Sequence, residues 1–260
     1  LAELAAEPEE TYANAATHTR SLRCQTWLGL ARDVRVFHLD ARRDYGSWGW
    51  VMPRFHANVV SLPGLPHGSP EAYLNYFFVL GRGEGCEFDT VRRLEDGVLP
   101  ILRAEARDGD MQYHLTAFAT LERGPLSADD VAGTHYLLAA GNASGHTFTP
   151  EQQAGFDRLL AADTCHENEM VLFFRAEAVN TAAVPRYAFF KAPDPTAEKV
   201  KVTFDGSAGM AKLSSGQAVC VARVNGRPMP LSEMSILVKP GAKAVFEFFL
   251  PHSPLALGRA

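Results

Sequence analysis

Aromatic and hydrogen-bonding side chains are concentrated in the segment DYGSWGWVMPRFH. Tyr45, Trp48 and Trp50 are flat, rigid side chains of the kind that stack on the apolar faces of rings. Arg54 and His56 carry donors that would hydrogen-bond hydroxyl groups. The combination is typical of a surface that holds a sugar ring, so these five residues are candidates for carbohydrate contact.

The spacing of the two tryptophans supports a second interpretation of the same segment. Trp48 and Trp50 are two positions apart, so in a β-strand they would point to one face. Because large aromatic residues dominate the core of all-β domains, a shared face favours packing over ligand contact for this pair. Tyr45, Arg54 and His56 then become the sharper candidates for contact with a ligand or a neighbouring domain.

Acid–base chemistry would need a histidine and a carboxylate within reach of one substrate, and His114 with Glu177 is the first pair to consider. Both residues fall in segments that alternate like strands, but nothing in the sequence places them together. The other interpretation of His114 is a side chain on the polar face of its strand, and the pattern favours it.

The motif CHENE brings His166 and Glu167 together, with Glu169 two positions further on. A metal site would need a third ligand supplied by the fold, and the two glutamates would form an acid–base pair only on one side of a strand. Neighbouring like charges without a recognised spacing usually form a solvated face, which favours an acidic strand start. The sequence predicts no metal ion, and it assigns no catalytic residue.

The sequence shows no motif that is typical of a cofactor site. The glycine-rich stretch GRGEGCEFD matches neither the phosphate-binding loop nor the dinucleotide fingerprint, and no helical pattern follows it. We therefore expect a turn between strands there, and we expect no cofactor.

Strand patterns dominate the elements that would position these residues. Residues 111–121 and 171–180 alternate apolar and polar side chains, which predicts strands with one buried face. Residues 73–80 and 98–102 are continuously apolar and predict strands covered on both sides. Residues 216–224 end in Asn-Gly, a strong hairpin signal.

Helices are few. Thr149, Pro150 and Gln152 have the types and spacing of a helix N-terminus, and a second short helix is expected from Ser127. Strands at short spacing with turn residues between them predict an all-β fold, a large two-sheet β-sandwich with one or two short inserted helices.

Composition limits the classes of protein and partner. The chain has 260 residues, of which 47% are hydrophobic and 21% charged, enough for a sizeable core. The net charge is −5 and no Lys/Arg cluster exceeds a pair along the sequence, so a nucleic-acid partner is not expected. No apolar run is long enough to span a membrane. We expect residues 1–260 to form one domain.

The stretches VLFFRAEAVNTAAVPRYAFFK, AVCVARVNGRPMP and PGAKAVFEFFLPHSPLA resemble a known domain. They are similar to the N-terminal β-supersandwich, related in shape to galactose mutarotase, of glycoside hydrolases and phosphorylases with an (α/α)6 catalytic barrel. Glucodextranase, bacterial glucoamylase and the maltose and cellobiose phosphorylases carry this domain. The resemblance covers mainly the last ~90 residues, at the level of strand and turn patterning.

The resemblance implies a non-catalytic role, since the catalytic carboxylates of that family lie in the downstream barrel. No run of helical hairpins follows residue 250 here, and we expect the segment to be cut from a longer multidomain protein. The implied partners are a helical catalytic domain of the same parent chain and an oligo- or polysaccharide. No catalytic residue of the family can be transferred to this sequence.

Three functions therefore stay open. The first is an ancillary sandwich domain of a carbohydrate-active enzyme, which packs on a catalytic barrel and helps to shape its sugar site. The second is a stand-alone sandwich enzyme of the mutarotase or lyase kind, and the third is a carbohydrate-binding module. The compartment is left open, with a secreted or periplasmic location favoured over a cytoplasmic one.

Overall fold

The computed structural model describes Thr11 and residues 26–31, 33, 35–40, 49–55, 74–82, 92–127, 149–152, 154–155, 158, 168–195 and 200–257. Within these residues the chain forms fifteen β-strands and one short helical segment. The strands pair into two antiparallel sheets that pack face to face. The predicted all-β sandwich with a short inserted helix is confirmed.

The smaller sheet has six strands in the spatial order β1-β2-β3-β4-β9-β14. Their bounds are β1 Thr26–Gly29, β2 Arg35–Asp40, β3 Trp50–Phe55, β4 Tyr76–Leu80, β9 Arg186–Pro195 and β14 Glu233–Val238.

The larger sheet has nine strands in the order β10-β11-β12-β15-β8-β7-β6-β5, with β13 paired to β12. Their bounds are β5 Arg92–Glu95, β6 Leu99–Asp108, β7 Met111–Leu121, β8 Met170–Asn180, β10 Val202–Asp205, β11 Met210–Leu213, β12 Ala218–Val224, β13 Arg227–Pro228 and β15 Lys243–Pro251.

Aromatic rings join the two sheets in the core. Phe78 of the smaller sheet lies 4.9 Å from Phe174 and 5.4 Å from Phe248, measured between ring centroids. Phe190 of the smaller sheet stacks on Phe246 at 4.9 Å. All five rings are buried. Offset and edge contacts of this kind stabilise a core beyond the burial of apolar area.

Alternation of side chains decides which residues reach this core. In β7 and β8 every second residue is buried, and those between are half-buried on the outer face, apart from Val171, which is buried as well. The predicted strands at 111–121 and 171–180 are therefore confirmed. Asn225 and Gly226, with φ of 49° and 75°, form the predicted turn after β12.

The helix start is also confirmed. The backbone N–H of Thr149 donates to Oε1 of Gln152 at 2.9 Å, and the N–H of Gln152 donates to the Thr149 hydroxyl at 3.3 Å. This reciprocal pair is a capping box. The second helix expected from Ser127 falls mostly outside the described residues.

Two predicted strands were wrong in detail. The stretch VLPIL is not covered on both sides: Val98 is 77% exposed, because Asp96 and Gly97 form the turn of an edge hairpin between β5 and β6. The described end of YLNYFFVL alternates as well, since Phe77 and Val79 are only half-buried between the buried Tyr76 and Phe78.

Asn180 explains the turn that carries much of the family resemblance. It is fully buried at the end of β8, where the chain leaves the larger sheet for the smaller one. Its Nδ2 donates to the carbonyls of Val184 at 2.8 Å and Val238 at 2.9 Å, and its Oδ1 accepts from the N–H of Ala182 at 2.9 Å. The asparagine satisfies buried backbone groups at the corner of the sandwich and does not require a ligand there.

Candidate functional site

The structure describes four of the predicted site residues in part or in full. Trp50 and the backbone of Arg54 lie on β3 in the smaller sheet, whereas His114 and Glu177 lie on β7 and β8 in the larger sheet. The other five lie outside the described residues: Tyr45, Trp48, His56, His166 and Glu167.

Trp50 points to the outer face of the smaller sheet. Its neighbour Val51 is fully buried in the core, so the alternation of β3 places Trp50 on the opposite side, where it is half-buried. The expectation that this tryptophan packs in the core is wrong. A two-residue spacing shows that side chains share a face, but it does not show which face is covered.

An aromatic face extends across the outer side of β1 to β4, and we define it by Trp27, His38, Trp50 and Phe77. The Trp27 ring stacks on His38 with 4.8 Å between centroids and 11° between planes, and Trp27 is 52% exposed. Trp50 meets Phe77 edge to face at 5.5 Å. The strand register makes both contacts, since Trp27 pairs with His38 and Trp50 pairs with Phe77.

A cleft of about 470 Å³ continues this face towards β14. Its polar lining includes Arg82, Lys191, Glu233 and Ser235. Lys191 Nζ lies 6.0 Å from the Phe77 ring centroid, so it links the cleft to the aromatic face. Clefts of 300–1,000 Å³ are the usual size for small-molecule sites.

Arg82 is held at the mouth of the cleft by a buried carboxylate. Its Nη2 lies 2.8 Å from Oδ1 of Asp108, and its backbone N–H donates to Oδ2 at 2.9 Å. The Arg82 side chain is 64% exposed while that of Asp108 is 1% exposed. The guanidinium is therefore positioned from one side and open to solvent on the other.

Sequence reasoning missed Trp27, Phe77 and Lys191. Trp27 precedes a core leucine in the short stretch TWLG, so alternation could have marked it as outward-facing once Leu28 was assigned to the core. Phe77 lies inside a continuous apolar run that hides its orientation. Lys191 has no local signal, because only the pairing of β9 with β4 brings it beside Phe77.

On the larger sheet the structure brings the predicted acid–base pair together. His114 and Glu177 occupy directly opposite positions on neighbouring strands, and Glu105 is opposite His114 on the other side. Nδ1 of His114 lies 3.5 Å from Oε1 of Glu105. All three side chains lie on the outer face, and His114 is 43% exposed.

Glu177 is held in its ionised form by neighbouring cations. The hydrogen bond from Lys243 Nζ, 2.8 Å long, lowers the pKa of Glu177 below its ordinary value, and the positive charges of Arg175 and Lys243 act in the same direction. A carboxylate with a lowered pKa is a weak general base. Proton transfer on this face would therefore depend on His114.

Glu169 of the CHENE motif has a structural role. Its Oε1 accepts from Arg35 Nη1 at 3.0 Å, and the same guanidinium is paired with buried Asp33 at 2.7 Å. Burial raises the pKa of the Glu169 carboxyl, although Arg35 opposes the shift. The predicted solvated acidic start is wrong for this residue, because it anchors a cation inside the fold.

Within the described part of the chain, no cluster of three or more His, Cys, Asp or Glu side chains could hold a metal ion. No helix among those residues has the length and apolar character needed to cross a bilayer. Comparison with known proteins gave no matching family model, no significantly similar curated protein and no significantly similar solved structure.

Proposed function

We propose that this sandwich is an ancillary, non-catalytic domain of a carbohydrate-active enzyme and that it contacts saccharide through its aromatic face. The observation that carries the proposal is the half-exposed Trp27 ring stacked on His38, beside Trp50 and Phe77. An exposed aromatic ring has an apolar surface that matches the C–H face of a sugar ring.

The cleft next to this face supplies the polar half of sugar recognition. Ligand sites usually combine apolar or aromatic walls with a few polar groups that fix orientation. Lys191 and Ser235 offer donors and Glu233 offers an acceptor, and all three line the same cleft. A short saccharide that stacks on the aromatic face would reach these groups with its hydroxyls.

Binding to immobilised neutral glucans tests the proposal directly. Affinity gels that contain soluble α- or β-glucans should retard the wild type, and Trp27→Ala should weaken binding about tenfold, the effect of losing roughly 1.4 kcal/mol of contact. The melting temperature should hardly change, because the Trp27 ring is half-exposed.

The matched control is Leu126→Ala, which removes a side chain of similar exposure, 54%, outside both sheets. It should bind like the wild type. Unchanged glucan binding in Trp27→Ala would remove the aromatic face from this role, and a wild type that binds no glucan would contradict the carbohydrate role itself.

The parent-chain part of the proposal rests on the resemblance of the last ~90 residues to supersandwich domains. The expected partner is a helical catalytic domain of the same parent chain. Reading the coding sequence on both sides of this segment tests it: helical hairpins downstream are the expected result, and a gene without them would contradict the parent-chain proposal.

A stand-alone sandwich enzyme is the second candidate function, and the direct opposition of His114 and Glu177 favours it. In this version His114 transfers the proton while Glu105 orients its ring. The test is an anomer-interconversion assay of the purified chain, with His114→Gln and Glu177→Gln beside the wild type. A wild-type rate equal to that of buffer, or a rate unchanged in His114→Gln, would remove this candidate.

A further inference from the structure

Four arginines from four strands form one row across the outer face of the larger sheet. The row follows successive cross-strand partners, and its members are Arg93, Arg103, Thr116, Arg175, Glu247 and Arg223. We call this the arginine row. At the usual 4.7–4.9 Å between strands it is about 24 Å long.

The arginine row is placed at a cost in stability. Arg93 and Arg103 are directly opposite each other, and like charges in that position destabilise a sheet. Glu95 and Thr116 both accept from Arg103.

Arg175 is also balanced by acidic neighbours, since it forms ion pairs with Glu177 and Glu247. Arg93 and Arg223 make no ion pair within the described residues. These two guanidinium groups are therefore the ones best placed to pair with a bound anion.

The charge of the whole face agrees with this interpretation. On the neighbouring strands β5, β6, β7, β8, β15 and β12, the outer positions hold six cations, Arg93, Arg103, Arg107, Arg175, Arg223 and Lys243. They hold four carboxylates, Glu95, Glu105, Glu177 and Glu247, which leaves a net charge of +2 with neutral histidine. The chain as a whole carries −5. The face is therefore positive relative to the rest of the molecule.

A phenylalanine row, Phe118, Phe173 and Phe249, runs directly beside the arginine row. Neighbouring rings are 5.0 and 5.2 Å apart and half-buried. Arg223 lies over the Phe249 ring at 5.3 Å, so the two rows touch. The phenylalanine row and the arginine row thus lie side by side, and each advances by one residue per strand. We call the two together the double row.

We infer that this double row binds a linear acidic polysaccharide, with its carboxylate or sulfate groups on the arginines and its ring faces on the phenylalanines. Guanidinium groups pair with carboxylates and other oxyanions through two parallel hydrogen bonds, which suits either group. The choice of a saccharide as the carrier of the anion rests on the proposed carbohydrate role.

A nucleic acid fits the double row less well. A nucleic-acid partner usually requires a strongly basic domain with a continuous stripe of cations. The chain carries a net charge of −5. Glu105, Glu177 and Glu247 border or interrupt the arginine row, so the face lacks such a stripe.

Affinity gels distinguish the sources of the anion. Polygalacturonate presents carboxylates, dextran sulfate presents sulfates, and dextran is the neutral reference with the same backbone as dextran sulfate. We expect the wild type to be retarded by at least one acidic gel more strongly than by dextran, and the stronger acidic gel identifies the anion. Retardation by neither acidic gel overturns the inference and leaves the neutral-glucan proposal standing.

The variants Arg93→Gln and Arg223→Gln test the row itself. Each should weaken acidic-gel binding about tenfold, the effect of losing one charge-assisted hydrogen bond. Arg107→Gln is the matched control: the same residue type and charge change on the same face, away from the row and without an ion pair among the described residues. Arg223→Gln and Arg107→Gln should melt at the wild-type temperature, and Arg93→Gln should melt at that temperature or slightly above it, because it removes the repulsion from Arg103.

Two further outcomes overturn the inference. An equal loss in Arg107→Gln would mean that only the total charge of the face matters. Tighter binding of a single-stranded DNA oligonucleotide than of both acidic polysaccharides would make the row a nucleic-acid site. If only Trp27→Ala loses binding to neutral dextran, the loss reports on the aromatic face and not on the arginine row. The neutral-glucan proposal and the acidic-polysaccharide inference can therefore be contradicted separately.

Discussion

On the six-stranded sheet the outward positions hold the aromatic face, whereas on the nine-stranded sheet they hold rows of charge beside a row of phenylalanines. The inward positions of both sheets hold mainly apolar, buried residues. The inner positions are therefore constrained by packing and the outer ones are not. The chemistry that distinguishes the two faces is free to serve binding, and it does not have to serve the fold.

The largest expected effect tests the division between inside and outside within one strand. Phe174 is fully buried against Phe78 and Phe248, so Phe174→Ala should cost about 3–5 kcal/mol of unfolding free energy. Phe173, the next residue, faces outward and is half-buried, so Phe173→Ala should cost about 1–2 kcal/mol. Urea denaturation measures both, and equal losses would contradict the assignment of the faces.

A crossed binding experiment sharpens the comparison of the two outer faces. Trp27→Ala should lose about tenfold in neutral-glucan binding and keep its binding to acidic polysaccharide, and Arg223→Gln should do the reverse. The two residues lie on different sheets, and effects of distant sites usually add. The double variant should therefore show both losses unchanged. If either single variant lost binding to both the neutral glucan and the acidic polysaccharide, the two faces would have to be treated as one site.

The smallest effect comes from the charge network of the larger sheet. Glu177 has a lowered pKa in the folded chain because Lys243 donates to it and Arg175 is close. Its stabilising contribution is therefore present above the ordinary carboxyl pKa and is lost as pH falls through the lower, folded value. The contribution should be about 0.2–1 kcal/mol, as for surface ion pairs.

Thermal melts from pH 7 to pH 3 check this expectation. The wild type should be slightly more stable than Glu177→Gln at pH 7, and the difference should vanish at low pH. Ser235→Ala, a polar substitution on the other outer face, should show no such pH dependence. A difference that grows with falling pH would contradict the lowered pKa.

Local patterns predicted much of the fold. The alternation in 111–121 and 171–180, the Asn225-Gly226 turn and the Thr149–Gln152 capping box appear in the structure as expected. These features depend on a few neighbouring residues, whose backbone preferences and side-chain directions can be read from the chain. Continuous apolar runs were less informative, as the exposed Val98 shows, because they carry no period.

The candidate sites could not be predicted in the same way, because they depend on which strands pair and on which face of each sheet is exposed. The sequence could name Trp50 but not the side of the sheet on which it lies, and it could name His114 and Glu177 but not their opposition. Residues that face each other across strands are set by the register of pairing, which follows from turns and packing over the whole sheet. No property of either segment alone contains that information.

The sequence by itself determined that the chain forms strands with one apolar face, joined by specific turns and packed as a sandwich, because these follow from local periodicity and burial of apolar area. Only the tertiary structure decided what the outer faces present. Along the chain no cluster of basic residues exceeds a pair, yet Arg93, Arg103, Arg175 and Arg223 lie in one row, because strand pairing brings distant positions to neighbouring strands.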